Sequence, residues 1–131
     1  MKPVPLGIAA IETIPTDAGH TAAAVGNFGV AVVATTTLIL FIEETTGNAL
    51  KPYLDFGEAS VGTRVEVDHL AALAPGQDVT VRAEVIGVDG RLVTFAVEVK
   101  GGGRLLMQGR HVRAIVDLQR FLEKQGLAQS A

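Results

Sequence analysis

Three residues stand where their chemistry is at odds with their neighbours. Glu43 follows Leu38-Ile39-Leu40-Phe41-Ile42, five consecutive apolar residues. An isolated ionised carboxylate is costly in an apolar interior, so Glu43 is expected to be paired or to reach a polar cleft. The plainer alternative is a helix emerging into solvent, with Glu43 and Glu44 as its first wet pair. Adjacent helical residues point about 100° apart, so at most one of the two faces the core. His69 shares strand parity with Val61, Thr63, Val65 and Val67, the inward side of an alternating segment. A lone histidine there is more often a satisfied core residue than a catalyst, but His69 lies just before the Leu70–Gly76 connection, and strand ends are where sites are commonly built. Thr35 opens the apolar segment and by default caps it. The same helix end offers unpaired backbone N–H groups able to hold an oxyanion or a carbonyl oxygen. Eight residues separate Thr35 from Glu43, about 80° beyond two turns, whereas Thr36 is seven away and nearly in line, so helical geometry alone favours Thr36. His20 and His111 show no comparable pairing with a carboxylate in the sequence.

Positioning such groups falls to a simple run of elements. Gly7 to Ile14 and Thr21 to Val25 read as short strands separated by Pro15-Thr16-Asp17-Ala18-Gly19. The segment from Thr35 to Leu54 reads as a helix that is apolar on every side and therefore buried on every side, with Gly47 and Pro52 weakening and ending it. Strands follow. Val61 to His69 alternates with Gly62, Arg64, Glu66 and Asp68 on the wet face. After Pro75-Gly76 come Val79, Val81, Ala83 and Val85. Asp89-Gly90 is a hairpin signal leading to Val93, Phe95, Val97 and Val99. Gly101-Gly102-Gly103 then turns the chain into a long last strand, from about Arg104 to Val116, and a short helix opens at Asp117 and closes near Gly126. One wholly apolar helix with about four antiparallel strands points to an α+β fold with a curved sheet wrapped around the helix. A cystatin-like roll has similar periodicities.

The composition narrows the function classes. A chain of 131 residues, 48% hydrophobic and 19% charged, is expected to form one domain over residues 1–131. Eleven basic and fourteen acidic residues leave a net charge of −3 without a cationic cluster, which argues against nucleic-acid and membrane-surface partners. There is no cysteine, hence no disulfide, thiolate metal site or cysteine nucleophile, in keeping with a cytoplasmic location. No metal is called for. Thr21 to Ile42 carries no charge over 22 residues, but its glycines and threonines and the lack of flanking Lys or Arg argue against a membrane span.

Three stretches, Ala34-Thr35-Thr36-Thr37-Leu38-Ile39-Leu40-Phe41-Ile42-Glu43-Glu44 with Pro52-Tyr53-Leu54, Ser60 to Ala71, and Gly109-Arg110-His111-Val112-Arg113-Ala114-Ile115-Val116, resemble the fluoroacetyl-CoA thioesterase family. The resemblance runs from about Val33 to Val116. It implies the hotdog fold and hydrolysis of a short-chain acyl-CoA thioester to free acid and CoA, with no cofactor beyond the CoA of the substrate. It places the family's catalytic threonine, glutamate and histidine on Thr35, Glu43 and His69. Gly62 matches a glycine near the thioester carbonyl, and Arg113 an arginine of the last strand. Glu43 would act as nucleophile or general base, His69 would activate water or stabilise developing charge, and Thr35 would orient the pair. The resemblance further implies a homodimer or tetramer with the site at the subunit interface, Thr35 and Glu43 facing His69 of another subunit. Fluoroacetyl selectivity is not expected, because the Val25–Val32 region is short and Gly-rich, with Phe28 its one phenylalanine. Two alternatives remain, a non-catalytic acyl-CoA-binding module and a hydratase of the same fold; no histidine between His20 and His69 supplies the pattern associated with the latter.

Overall fold

The computed structural model describes residues 1–127. In chain order it contains β1 (Ala9–Pro15), α1 (Thr35–Leu50), β2 (Glu58–His69), β3 (Asp78–Asp89), β4 (Leu92–Gly101), β5 (Arg104–Asp117) and α2 (Leu118–Lys124). Short 3-10 turns occupy Ala18–His20, Ala23–Val25 and Lys51–Tyr53. The five strands form one antiparallel sheet in the order β1-β3-β4-β5-β2.

Alternation explains the sheet. Val79, Val81, Ala83 and Val85 of β3 and Val93, Phe95, Val97 and Val99 of β4 are all buried. At the β4–β5 turn Gly102 and Gly103 both have positive φ, 58° and 72°, which glycine adopts without a Cβ clash. Against this face α1 lays Leu38, Phe41, Ile42, Thr45, Thr46 and Leu50, spaced as one helical stripe. Each large apolar side chain so buried contributes about 1.5–3 kcal/mol relative to an exposed one. The three buried threonines of α1 all satisfy their hydroxyls, Thr46 donating to the Ile42 carbonyl at 2.9 Å, Thr37 to the His20 carbonyl at 3.0 Å and Thr45 to Glu12 Oε2 of β1 at 3.2 Å.

Several expectations are corrected. The sheet covers one side of α1, so the helix is not buried all round: Leu40 is 51% exposed. Thr21–Val25 is not a strand. That segment folds back on itself, with the Ala22 and Ala23 N–H groups donating to the carbonyls of Val32 and Val30, and only Thr21 bridges to Val33. Thr35 does not cap α1; Ala34 holds the N-cap position without a side-chain bond. Gly47 lies within the helix, and Pro52 falls in the 3-10 turn that follows it. Asp117 does cap α2, accepting from the Arg120 N–H. Among the described residues no helix is long and apolar enough to cross a membrane.

The most consequential correction concerns β2. Its register against β5 shifts between Gly62 and Arg64, so Thr63 is an extra residue, a β-bulge. Inserting one residue reverses the parity on either side of it. Ser60 and Gly62 therefore share the helix-facing side with Val65, Val67 and His69, opposite Ile115, Arg113, His111, Gly109 and Met107 of β5. The simple alternation had put Gly62 on the wet face.

Candidate active site

Two clusters of polar side chains lie along α1. At its N-terminus, Thr35 Oγ1 is 2.7 Å from Nδ1 of His69, the last residue of β2. The first helix residue and a strand end thus meet beside backbone N–H groups that have no intrahelical acceptor. Thr35 reaches His69 of its own chain, which corrects the expectation that it faces another subunit's. Thr35 makes this contact irrespective of its alignment with Glu43 along the helix.

Eight residues further, about 12 Å along the axis, Glu43 forms the second cluster. Its carboxylate lies against β5: Oε1 is 2.9 Å from His111 Nε2, and Oε2 is 3.4 Å from Arg113 Nη1. Arg113 is buried and fully engaged. Nε donates to Ser60 Oγ at 3.0 Å, Nη2 to the Ser60 carbonyl at 3.0 Å and Nη1 to the Glu43 carbonyl at 3.1 Å. Gly47, one turn on, leaves room for this guanidinium, since a Cβ there would stand 3.4 Å from Nη2. Gly62 does the same for the carboxylate: a Cβ at that position would fall 2.1 Å from Glu43 Oε1. The Glu43 side chain remains 36% exposed, so one side of it is open to a ligand. Neither reading of Glu43 from the sequence is complete: it is a partly open carboxylate held from behind by two buried basic groups.

His111, set aside in the sequence, is the residue that reasoning missed. Its side chain has no exposure. Nδ1 lies 2.8 Å from the Arg64 carbonyl. Nε2 has Glu43 Oε1 as its near neighbour without the alignment of a hydrogen bond, and no other partner among the described residues. Burial pushes the imidazole below its ordinary pKa and Arg113 adds to that, while the Arg64 carbonyl and Glu43 pull it upward. The available signal was the cross-strand register: His111 and Arg113 share one face of β5, and that face meets α1. His20 has a structural place, its Nδ1 accepting from the Asp17 N–H and its ring standing edge-on to Phe41.

These groups can hold a carboxylate ready for a proton or an acyl group at one point of α1, and a hydroxyl–imidazole pair at a helix N-terminus. Among solved structures, the fluoroacetyl-CoA thioesterase superposes with a TM-score of 0.89 at 30% identity, over 95% of this chain and 97% of that one. A variant of that enzyme in complex with acetyl-CoA gives 0.89 at 29%, over 94% and 97%. A thioesterase-superfamily protein from Thermus thermophilus also gives 0.89, at 27%, over 96% and 93%. The five-stranded antiparallel sheet with one central helix, together with these likenesses, defines a hotdog-fold thioester hydrolase. The profile of the fluoroacetyl-CoA-specific thioesterases matches residues 17–119. A fluoroacetyl-CoA thioesterase from Streptantibioticus cattleyicolor is 39% identical over 93 residues, 71% of this chain and 67% of that protein. The chain belongs to the fluoroacetyl-CoA-specific thioesterase family.

Proposed function

We propose that this protein is a dimeric thioesterase for short-chain acyl-CoA, with Glu43 as the reacting carboxylate and Thr35 and His69 as its partners. The observation that carries this reading is the part-open Glu43 carboxylate, braced by Arg113 and given room by Gly62. In the general-base version Glu43 takes a proton from water and the water oxygen bonds to the thioester carbon. The carbonyl oxygen gathers negative charge, which the first-turn N–H groups of α1 and His69 are suited to receive. Collapse then breaks the C–S bond and releases CoA as a thiol, protonated at the expense of Glu43. In the nucleophilic version Glu43 bonds to the carbon as the C–S bond breaks and CoA leaves as a thiolate that takes a proton from solvent; water then adds to the resulting anhydride, releasing the free acid and restoring the Glu43 carboxylate. Thr35 holds the His69 ring in place in both, Gly62 lies beside the thioester carbonyl, and Arg113 positions Glu43.

About 12 Å of helix separates Glu43 from Thr35 in one chain, so the reading requires a second copy. Two features suit one. β2 is an edge strand whose Gly62–Glu66 stretch is exposed, and its outer edge is free to pair. Leu40, exposed on α1 between the two clusters, provides an apolar contact for a neighbouring helix. Glu43 of one copy then faces the Thr35–His69 pair of the other. Fluoroacetyl-CoA is not the preferred substrate, because Phe28 is fully exposed on its glycine-rich loop and covers nothing in its own chain.

The test is thiol release from a panel of acetyl-, propionyl-, fluoroacetyl- and aryl acyl-CoA esters. Turnover of the short esters, lost in Glu43→Ala and His69→Ala, is the expected result. Binding of CoA esters without thiol release would identify an acyl-CoA-binding module instead.

A further inference from the structure

His111 has no role in the reaction as drawn above, yet it is the most buried polar side chain touching Glu43. The Arg64 carbonyl can only accept, so Nδ1 at 2.8 Å carries a hydrogen. That leaves Nε2 as the variable atom, buried, without a hydrogen-bonded partner and 2.9 Å from Oε1. If neither atom held a proton, two lone pairs would oppose each other at that distance, with the nitrogen closed to water. Repulsion would then part them. A proton on either atom turns the same contact into attraction, and a small rotation of the carboxyl group aligns it.

The surroundings leave this pair isolated. From α1 only Glu43 faces the imidazole with a charge, and from β5 only Arg113. β4 places Phe95 beside His111, and β2 places Val65 and the Arg64 carbonyl there, while the Arg64 guanidinium bonds Glu66. A leucine or methionine would fill the volume without stranding a polar nitrogen. We infer that His111 is a positioning residue for Glu43, its Nε2 sharing a single proton with Oε1 so that the two side chains gain and lose protons as one unit. The inference rests on the reading of Glu43 as the reacting carboxylate.

Proton counting shows what the unit does. Glu43 can take a proton from water only while the shared proton lies on His111, because a carboxyl group already protonated at Oε1 is not a base. Arg64's carbonyl and the Glu43 charge favour the proton on the ring; burial and Arg113 oppose it. His111 thereby determines what fraction of the enzyme has a working base, and returns a hydrogen bond to Oε1 whenever that base is charged.

Two variants separate the ring's two nitrogens. His111→Asn keeps a donor near the Arg64 carbonyl and empties the Glu43 side; His111→Gln offers Glu43 an amide donor that does not titrate. Asn is expected to lower kcat about 10- to 100-fold, the usual effect of removing a group that orients a reacting one, with KM little changed. Gln should recover part of kcat while moving the acid limb of the kcat–pH profile by about one unit or more, as for coupled groups. The third arm needs no substrate and no change at His111: ring-nitrogen NMR of histidine-labelled protein, in which His111 is one of three histidines. Glu43→Gln should alter the protonation state and titration of the His111 ring. Identical His111 titration in the wild type and Glu43→Gln overturns the inference, as does a His111→Gln enzyme with the wild-type acid limb. A wild type that hydrolyses no ester sinks the thioesterase role of Glu43 alone, since the NMR comparison reads the shared proton independently.

Discussion

Replacing Gly62 with alanine places a methyl group 2.1 Å from Glu43 Oε1 and 2.9 Å from its carboxyl carbon. Reaching ordinary contact at 3.4 Å requires Oε1 to withdraw by about 1.3 Å. The carboxylate cannot do so freely, because His111 and Arg113 stand behind it and Arg113 is tied to both Ser60 and the Glu43 carbonyl. A misplacement of about 1 Å costs on the order of 100-fold in rate, or about 2.7 kcal/mol of transition-state stabilisation. The fold has little reason to suffer: Gly62 lies in an exposed stretch of an edge strand, where gaining a Cβ favours extended backbone. The expected outcome is therefore a kcat/KM for acetyl-CoA lowered about 100-fold, measured by thiol release, with a melting temperature within about 5 °C of wild type. Wild-type turnover in Gly62→Ala would refute the placement of the reacting carboxylate beside this glycine. Unfolding of the variant would refute the claim that the clash is confined to the site.

Other substitutions probe the remaining contacts. Thr35→Ala removes the 2.7 Å bond to His69 and should lower kcat by about 10- to 100-fold, with Thr35→Ser close to wild type; equal rates for the two variants would exclude the hydroxyl. Arg113→Met strands the Ser60 and Glu43 carbonyls, and should destabilise the fold by about 2–4 kcal/mol in urea denaturation while also lowering turnover. Leu40→Asp on the exposed side of α1 should shift the protein to monomer in sedimentation and lower turnover with it; an active monomer would end the two-copy site.

How much of this was legible beforehand differs by element. The β3 and β4 alternations, the Gly102-Gly103 turn and the Asp117 cap followed directly from residue order, because period, turn chemistry and capping are local. The Thr21–Val25 strand failed because its backbone partners, Val30 and Val32, are supplied by the chain folding back. Leu40 misled in another way: hydrophobicity on all faces of a helix shows a need for cover, and not that its own chain provides it.

The residue order by itself determined one apolar helix, a run of antiparallel strands, and a threonine, a glutamate and a histidine whose resemblance named the family. Only the tertiary structure decided that Thr63 is a bulge, turning Ser60 and Gly62 toward α1, and that Thr35 meets His69 while Glu43 meets His111. The physical reason is range. Periodicity is set by bonds between neighbouring residues, whereas the partner of a buried ring 68 positions along the chain is set by strand register, and a single extra residue in β2 is enough to change which side chains face the helix.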